Sequence, residues 1–104
     1  MSEERVSRVF KALSDTTRRG ILMDIARKDA TAGELAEPYE ISLPAVSKHL
    51  KVLEGADLVT RIREGKTHRF HLNEEPLKSA TKVIEELSGY WNRRLKELDD
   101  YFKG

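Results

Sequence analysis

The chain has 104 residues, enough for one compact domain and too few for a two-lobed enzyme with an interdomain cleft. Charged residues make up 36% and hydrophobic ones 38%, so a large private core is hard to assemble and a partner subunit is expected. The formal charge of +1 favours no partner by itself, while the absence of cysteine excludes disulfides, thiolate metal sites and cysteine nucleophiles and permits a reducing compartment.

The start Met1-Ser2-Glu3-Glu4 is acidic and lacks the basic and apolar segments of a signal peptide. No window approaches the roughly 20 apolar residues that cross a bilayer. These features predict a soluble, cytoplasmic protein with no membrane partner. No repeat, low-complexity tract or Pro/Gly/Ser-rich linker interrupts the sequence, which predicts a single domain over residues 1–104.

Helical spacing puts Val6, Val9, Phe10 and Leu13 on one face of a first helix ending near Ser14, with Arg5, Arg8 and Lys11 opposite. Asp15 is a good N-cap for a second helix with Ile21, Leu22 and Ile25 as its stripe. Gly20 inside that helix costs about 1 kcal/mol relative to Ala, which suggests that another backbone passes close by. Thr31-Ala32-Gly33-Glu34 is a capping-box pattern opening a short third helix through Leu35 and Ala36, which Pro38 should end. Ser42 then caps a fourth helix with Pro44 in its first turn, Val46, Leu50 and Leu53 as its buried stripe, and Gly55 placed to terminate it.

From Leu58 to Leu72 the pattern changes to two alternating runs separated by Glu64-Gly65-Lys66, a β-hairpin with a glycine-containing tip. Asn73 is expected to cap a last helix, about residues 74–102, with Glu74 and Glu75 in its first turn and Pro76 tolerated there. The resulting chain is mainly α with one small hairpin, set between the fourth and fifth helices.

Two short helices joined by a tight connector and followed at once by a basic hairpin describe a winged helix-turn-helix, whose second helix is sized for a DNA major groove. The charge map agrees. Residues 42–72 carry Lys48, Lys51, Arg61, Arg63, Lys66 and Arg69 against Glu54, Asp57 and Glu64, a net +3, while the segments on either side each sum to −1. Attraction for phosphate is concentrated where the recognition helix and wing should lie.

The run from Phe10 to Leu22 (FKALSDTTRRGIL), then Gly33-Glu34-Leu35-Ala36, then Ser42 to Leu53 (SLPAVSKHLKVL), resembles the ArsR family of bacterial and archaeal transcriptional repressors. Arg63-Glu64-Gly65-Lys66 continues the match, so it covers nearly the whole chain. The resemblance implies a homodimer, paired through the first and last helices, that binds a partly palindromic operator in double-stranded DNA and blocks transcription. It places Leu43, Pro44, Ser47 and Lys48 where the recognition helix faces the groove. Ser47 and Lys48 can hydrogen-bond to base edges or phosphates, and Leu43 and Pro44 can touch only apolar features such as a thymine methyl. Ser42 and Lys51 border this set. His49, beside it, has two readings of equal weight, a phosphate contact or a helix-packing role. Arg63 and Lys66 are the wing's candidates for phosphate or minor-groove contact. Arg18 and Arg19 are expected to pair with nearby carboxylates rather than DNA.

In the last helix Leu77, Ala80, Ile84, Leu87, Trp91, Leu95, Leu98 and Phe102 recur at spacings of three, four or seven, more apolar stripe than a small domain needs. With Val6 and Phe10 of the first helix, Ile84, Leu87, Trp91, Leu95 and Leu98 are the candidate dimer interface. The alternative is that the stripe only covers its own domain.

Many ArsR proteins sense metals through cysteines in the third helix or Asp and His ligands on the last. The third helix here has no thiolate and the last no histidine, so no metal site or cofactor is expected and the effector stays open. His68 and His71, three apart on a strand, point to opposite faces, too poorly placed to share one zinc ion. No nucleophile–histidine motif or Gly-rich phosphate loop is present, which argues against an enzyme. The rival reading is a winged-helix protein-interaction module without DNA binding.

Overall fold

The computed structural model describes residues 3–103. Met1, Ser2 and Gly104 lie outside the described residues, and with them half of the acidic start. The order is α1 (Glu3–Ala12), α2 (Thr16–Arg27), β1 (Ala30–Thr31), α3 (Ala32–Ala36), a 3-10 turn (Glu37–Tyr39), α4 (Leu43–Gly55), β2 (Val59–Glu64), β3 (Thr67–Leu72) and α5 (Glu75–Lys103). The five helices and the hairpin stand where the sequence pattern puts them. Among the described residues no helix is long and apolar enough to cross a membrane.

The stripes of the short helices meet in one core. Val9 and Ala12 of α1, Ile21, Leu22 and Ile25 of α2, Leu35 of α3, and Val46, Leu50 and Leu53 of α4 are all buried. Leu58, Val59 and Phe70 close it from the sheet side, and Ala80 from α5. Phe10, grouped with Val9 by spacing, is instead 40% exposed, because Val9 and Ala12 take the inward direction.

Local chemistry sets the helix ends. Asp15 Oδ2 accepts from the N–H of Arg18 at 2.9 Å, and Thr31 and Glu34 form the complete capping box at 3.2 and 3.0 Å. The Arg18 N–H, opposed by partial desolvation and aided by the charges of His49 and Arg18, holds the Asp15 carboxyl below its ordinary value. The Thr31 N–H and hydroxyl do the same for Glu34. A carboxyl that is more acidic folded than unfolded contributes stability above its unfolded value, and that contribution is lost as pH falls through the folded one. Denaturant unfolding followed by circular dichroism should therefore show stability declining as pH drops below the carboxylate range, from about pH 4 downward. Asp15→Asn and Glu34→Gln should each flatten that decline.

Three local expectations change. Gly55 is the last residue of α4, not its terminator. The left-handed residue is Asp57 at φ 58°, whose N–H donates to Glu54 O at 2.9 Å while Leu58 N–H donates to Leu53 O at 3.0 Å. That is a Schellman ending with aspartate where glycine is usual. Asn73 does not cap α5: its Nδ2 donates to Asp57 O at 2.9 Å, pinning this same turn, and α5 begins at Glu75. As the sequence pattern expects, α3 ends at Ala36 ahead of Pro38, which sits in the 3-10 turn that Glu40 ends at φ 53°. Gly20 is approached by a side chain, not a backbone: a Cβ there would collide with the Tyr39 hydroxyl, which donates to Asp24 Oδ2 at 2.9 Å. Burial, then that hydrogen bond, pushes the Tyr39 phenol up.

The sheet has three strands, ordered β1-β3-β2 and antiparallel throughout, so the hairpin gains a two-residue edge that spacing did not reveal. Gly65 at φ 62° begins the two-residue loop, a position where a tight hairpin needs glycine. Glu64 pairs with Thr67 across that loop, and counting back sets Arg63 opposite His68 and Arg61 opposite Phe70.

Candidate nucleic-acid interface

Helix α4 buries Val46, Leu50 and Leu53, so its opposite face must point outward. Leu43, Ser47 and Lys51 follow one another along that face at steps of four, with Pro44 and Lys48 beside them, and all five are exposed. Ser42 is exposed too, but its Oγ already accepts from the N–H of Ala45 at 3.3 Å as the helix cap. Leu43 is 55% exposed at the first turn, an apolar group offered to solvent at the leading end of the helix.

The wing rises next to this face. Leu43 and Ser47 of α4 share a groove of about 490 Å³ with Lys66 and Thr67 of the hairpin, edged by Ala32 and Gly33 of α3. Leu43, Ser47 and Lys66, three of the candidate DNA-facing residues, thus converge from two elements on one concavity. Lys48 and Lys51 lie outside it on the open face of α4. Arg63 is exposed near the tip, its Nε donating to Gly65 O at 3.0 Å.

The net +3 of the central segment is unevenly available. Arg61 donates to Glu54 Oε1 at 2.7 Å and lies 5.1 Å over the Phe70 ring. Arg69 sits 3.6 Å from both Glu34 and Glu64 carboxylates. Among the described residues Lys48, Lys51, Arg63 and Lys66 have no carboxylate at ion-pair distance, so the uncompensated charge is on α4's outer face and the wing tip. Arg61 and His68 also line the groove, joined by an Arg61 Nη1 to His68 Nδ1 hydrogen bond at 3.2 Å. The sequence pattern marks neither as a site residue, although the register counted from Gly65 brings Arg61 opposite Phe70.

His49 is turned away from this surface. It is half-buried, with Nδ1 at 3.5 Å from Arg18 Nη1 and 4.0 Å from Asp15 Oδ2, which is the packing role of its two readings. Arg18 and Arg19 do not pair primarily with carboxylates. Arg18 donates to Ala12 O and, beside the Ser14 N–H and hydroxyl, to Lys11 O, and Arg19 donates to Leu13 O at 2.6 Å, so both guanidinium groups meet main-chain carbonyls at and just past the end of α1. His71 Nδ1 donates to Asp29 Oδ1 at 2.8 Å while His68 meets Arg61, so the two histidines serve separate partners. Among the described residues no three His, Asp or Glu side chains converge as a metal site would require.

A short helix, a turn, an outward-facing second helix with free lysines and an adjoining basic hairpin define a winged helix-turn-helix. A family described as a helix-turn-helix domain matches residues 13–62. The chain is 43% identical over 68 residues to the transcriptional repressor SdpR of Bacillus subtilis, a match spanning 65% of this chain and 76% of that protein. A solved ArsR-like transcriptional regulator from Rhodococcus sp. RHA1 is similar with a TM-score of 0.77 and 33% identity, over 91% of this chain and 90% of that one. The chain belongs to the ArsR family of winged helix-turn-helix transcriptional regulators. With that membership comes its activity, DNA-binding regulation of transcription. A homodimeric winged helix-turn-helix DNA-binding domain from Mycobacterium bovis shares the fold, with a TM-score of 0.67 at 24% identity over 85% of this chain and 88% of that one.

Proposed function

We propose that residues 1–104 form one non-catalytic DNA-binding unit that works as a homodimer in the cytoplasm, occupies a partly palindromic operator and represses by blocking the promoter. The observation that carries this reading is the set of uncompensated charges, Lys48 and Lys51 on α4 and Arg63 and Lys66 on the wing, all on outward faces beside one groove. Two recognition helices about 34 Å apart enter successive major grooves on one side of the duplex. Ser47 and Lys48 read base edges or phosphates, Leu43 and Pro44 meet apolar base features, and Ser42 lies at the leading end of the helix. Lys51, Arg63 and Lys66 hold the phosphate backbone.

The dimer uses α1 and α5. Val6, Phe10 and Val83 line shallow grooves between the two helices, adjoining the exposed Ile84, Leu87, Trp91, Leu95 and Leu98 of α5. The homodimeric state of the M. bovis domain and the repressor activity of the B. subtilis protein support this assembly and this outcome.

Mobility-shift titration against DNA from the protein's own promoter region, repeated over a range of salt, tests the interface. Lys48→Ala and Arg63→Ala should each weaken binding several-fold and lower the slope of log affinity against log salt by about one. Unchanged affinity and slope in both variants would rule out the α4-and-wing assignment.

A further inference from the structure

We infer that Arg18 is a positioning residue for DNA reading, fixing the recognition helix to the helix that begins the dimer surface. The inference rests on the operator-binding reading above. One guanidinium reaches two elements. Its Nε donates to Ala12 O and its Nη2 to Lys11 O at 3.2 Å, closing the last turn of α1. Its Nη1 faces His49 Nδ1 of α4 at 3.5 Å. Arginine has no acceptor, so it is the imidazole Nδ1 that accepts in this contact.

The backbone of the same residue completes the cluster. Arg18 N–H donates to Asp15 Oδ2 at 2.9 Å as the α2 cap, and that oxygen lies 4.0 Å from His49 Nδ1. The end of α1, the start of α2 and the middle of α4 are therefore joined through one side chain and its own cap. His49 directly follows Ser47 and Lys48, and α1 carries Val6 and Phe10. In the dimer proposed above, paired through α1 and α5, the angle between α1 and α4 would set how far apart the two recognition helices stand. A planar fork can bridge two helices in a fixed direction, whereas an ammonium on a flexible stem holds only a point charge there. Loosening the cluster should cost spacing selectivity before it costs the fold, because Leu50 and Leu53 still anchor α4 in the core.

The probes are duplexes selected from a random pool by the wild-type protein, each remade with one base pair inserted or removed between its half-sites. One base pair shifts a half-site by about 3.4 Å along the axis and turns it by about 35°. The wild type should strongly prefer the selected spacing. Arg18→Lys and His49→Ala should bind the selected duplex more weakly and lose about tenfold of that preference, with the double variant losing no more than either alone. Circular dichroism and sedimentation establish that each variant remains folded and keeps the wild-type assembly state. Should Arg18→Lys not fold, His49→Ala decides by the same ratio. A folded variant retaining the full wild-type spacing ratio overturns the positioning role. A wild type that selects no duplex, or shows no spacing preference, overturns the operator reading itself.

Discussion

Leu87→Asp, and independently Trp91→Asp, should convert a dimer into a monomer at micromolar concentration and weaken operator binding about a hundredfold or more, the scale at which two linked sites exceed one. Helix α5 explains why. Its first turns serve the domain, with Pro76 and Ala80 buried and Leu77 packed on the core. Beyond Val83 every described residue of α5 is exposed, Leu87 by 65% and Trp91 by 62%, and the described residues span 67 × 30 × 20 Å. A contiguous apolar strip of this kind is rare on a monomer and marks an association surface. An aspartate placed there would have to shed its hydration against apolar neighbours, which disfavours the pair strongly. Both positions are exposed in the single chain, so the winged helix-turn-helix itself should keep its thermal stability apart from the part contributed by assembly. Sedimentation velocity and mobility shift together check the prediction. A wild-type monomer that still bound DNA tightly would refute the dimer.

Gly20→Ala should destabilise the fold by about 1–3 kcal/mol, the usual cost of an overpacked site. The sign is informative, because the same change in an open helical position stabilises by about 1 kcal/mol. The added methyl would occupy the space of the Tyr39 hydroxyl, and two ring carbons stand at 3.1 and 3.2 Å, so the whole ring must move and not just its tip. Moving it breaks the bond to Asp24 that fastens the turn between α3 and α4 onto α2. In a Tyr39→Ala background the obstacle is gone, and Gly20→Ala should then raise the melting temperature. Thermal unfolding of the four proteins in this cycle gives the answer. A stabilising effect of Gly20→Ala in both backgrounds would mean that Tyr39 does not hold the turn.

Much of the fold was legible because it depends on near neighbours in the chain. The caps at Asp15, Thr31 and Ser42 act over three residues, and the buried stripes of α2 and α4 follow from the helical period alone. Strand β1 was not legible: Ala30 and Thr31 are too short to show alternation, and they become a strand only because β3 offers an edge beside them. Asn73 has a capping residue's chemistry, but Asp57 O lies within reach of its amide. For Arg18 the sequence points to a carboxylate, because it shows charges and not the open carbonyl at the end of a helix six residues earlier.

The candidate site divides along the same line. By itself the sequence determined that α4 has an outward face carrying Leu43, Ser47, Lys48 and Lys51, and that a basic hairpin follows it, since both depend on short-range periodicity. Only the tertiary structure decided which positive charges are available to DNA. Arg69 is answered by Glu34 from α3 and Glu64 from β2, and Arg61 by Glu54 from α4, while His49 is half-buried against Arg18. Charge compensation acts through space over a few ångströms, and residues that far apart in sequence meet only once the chain has folded.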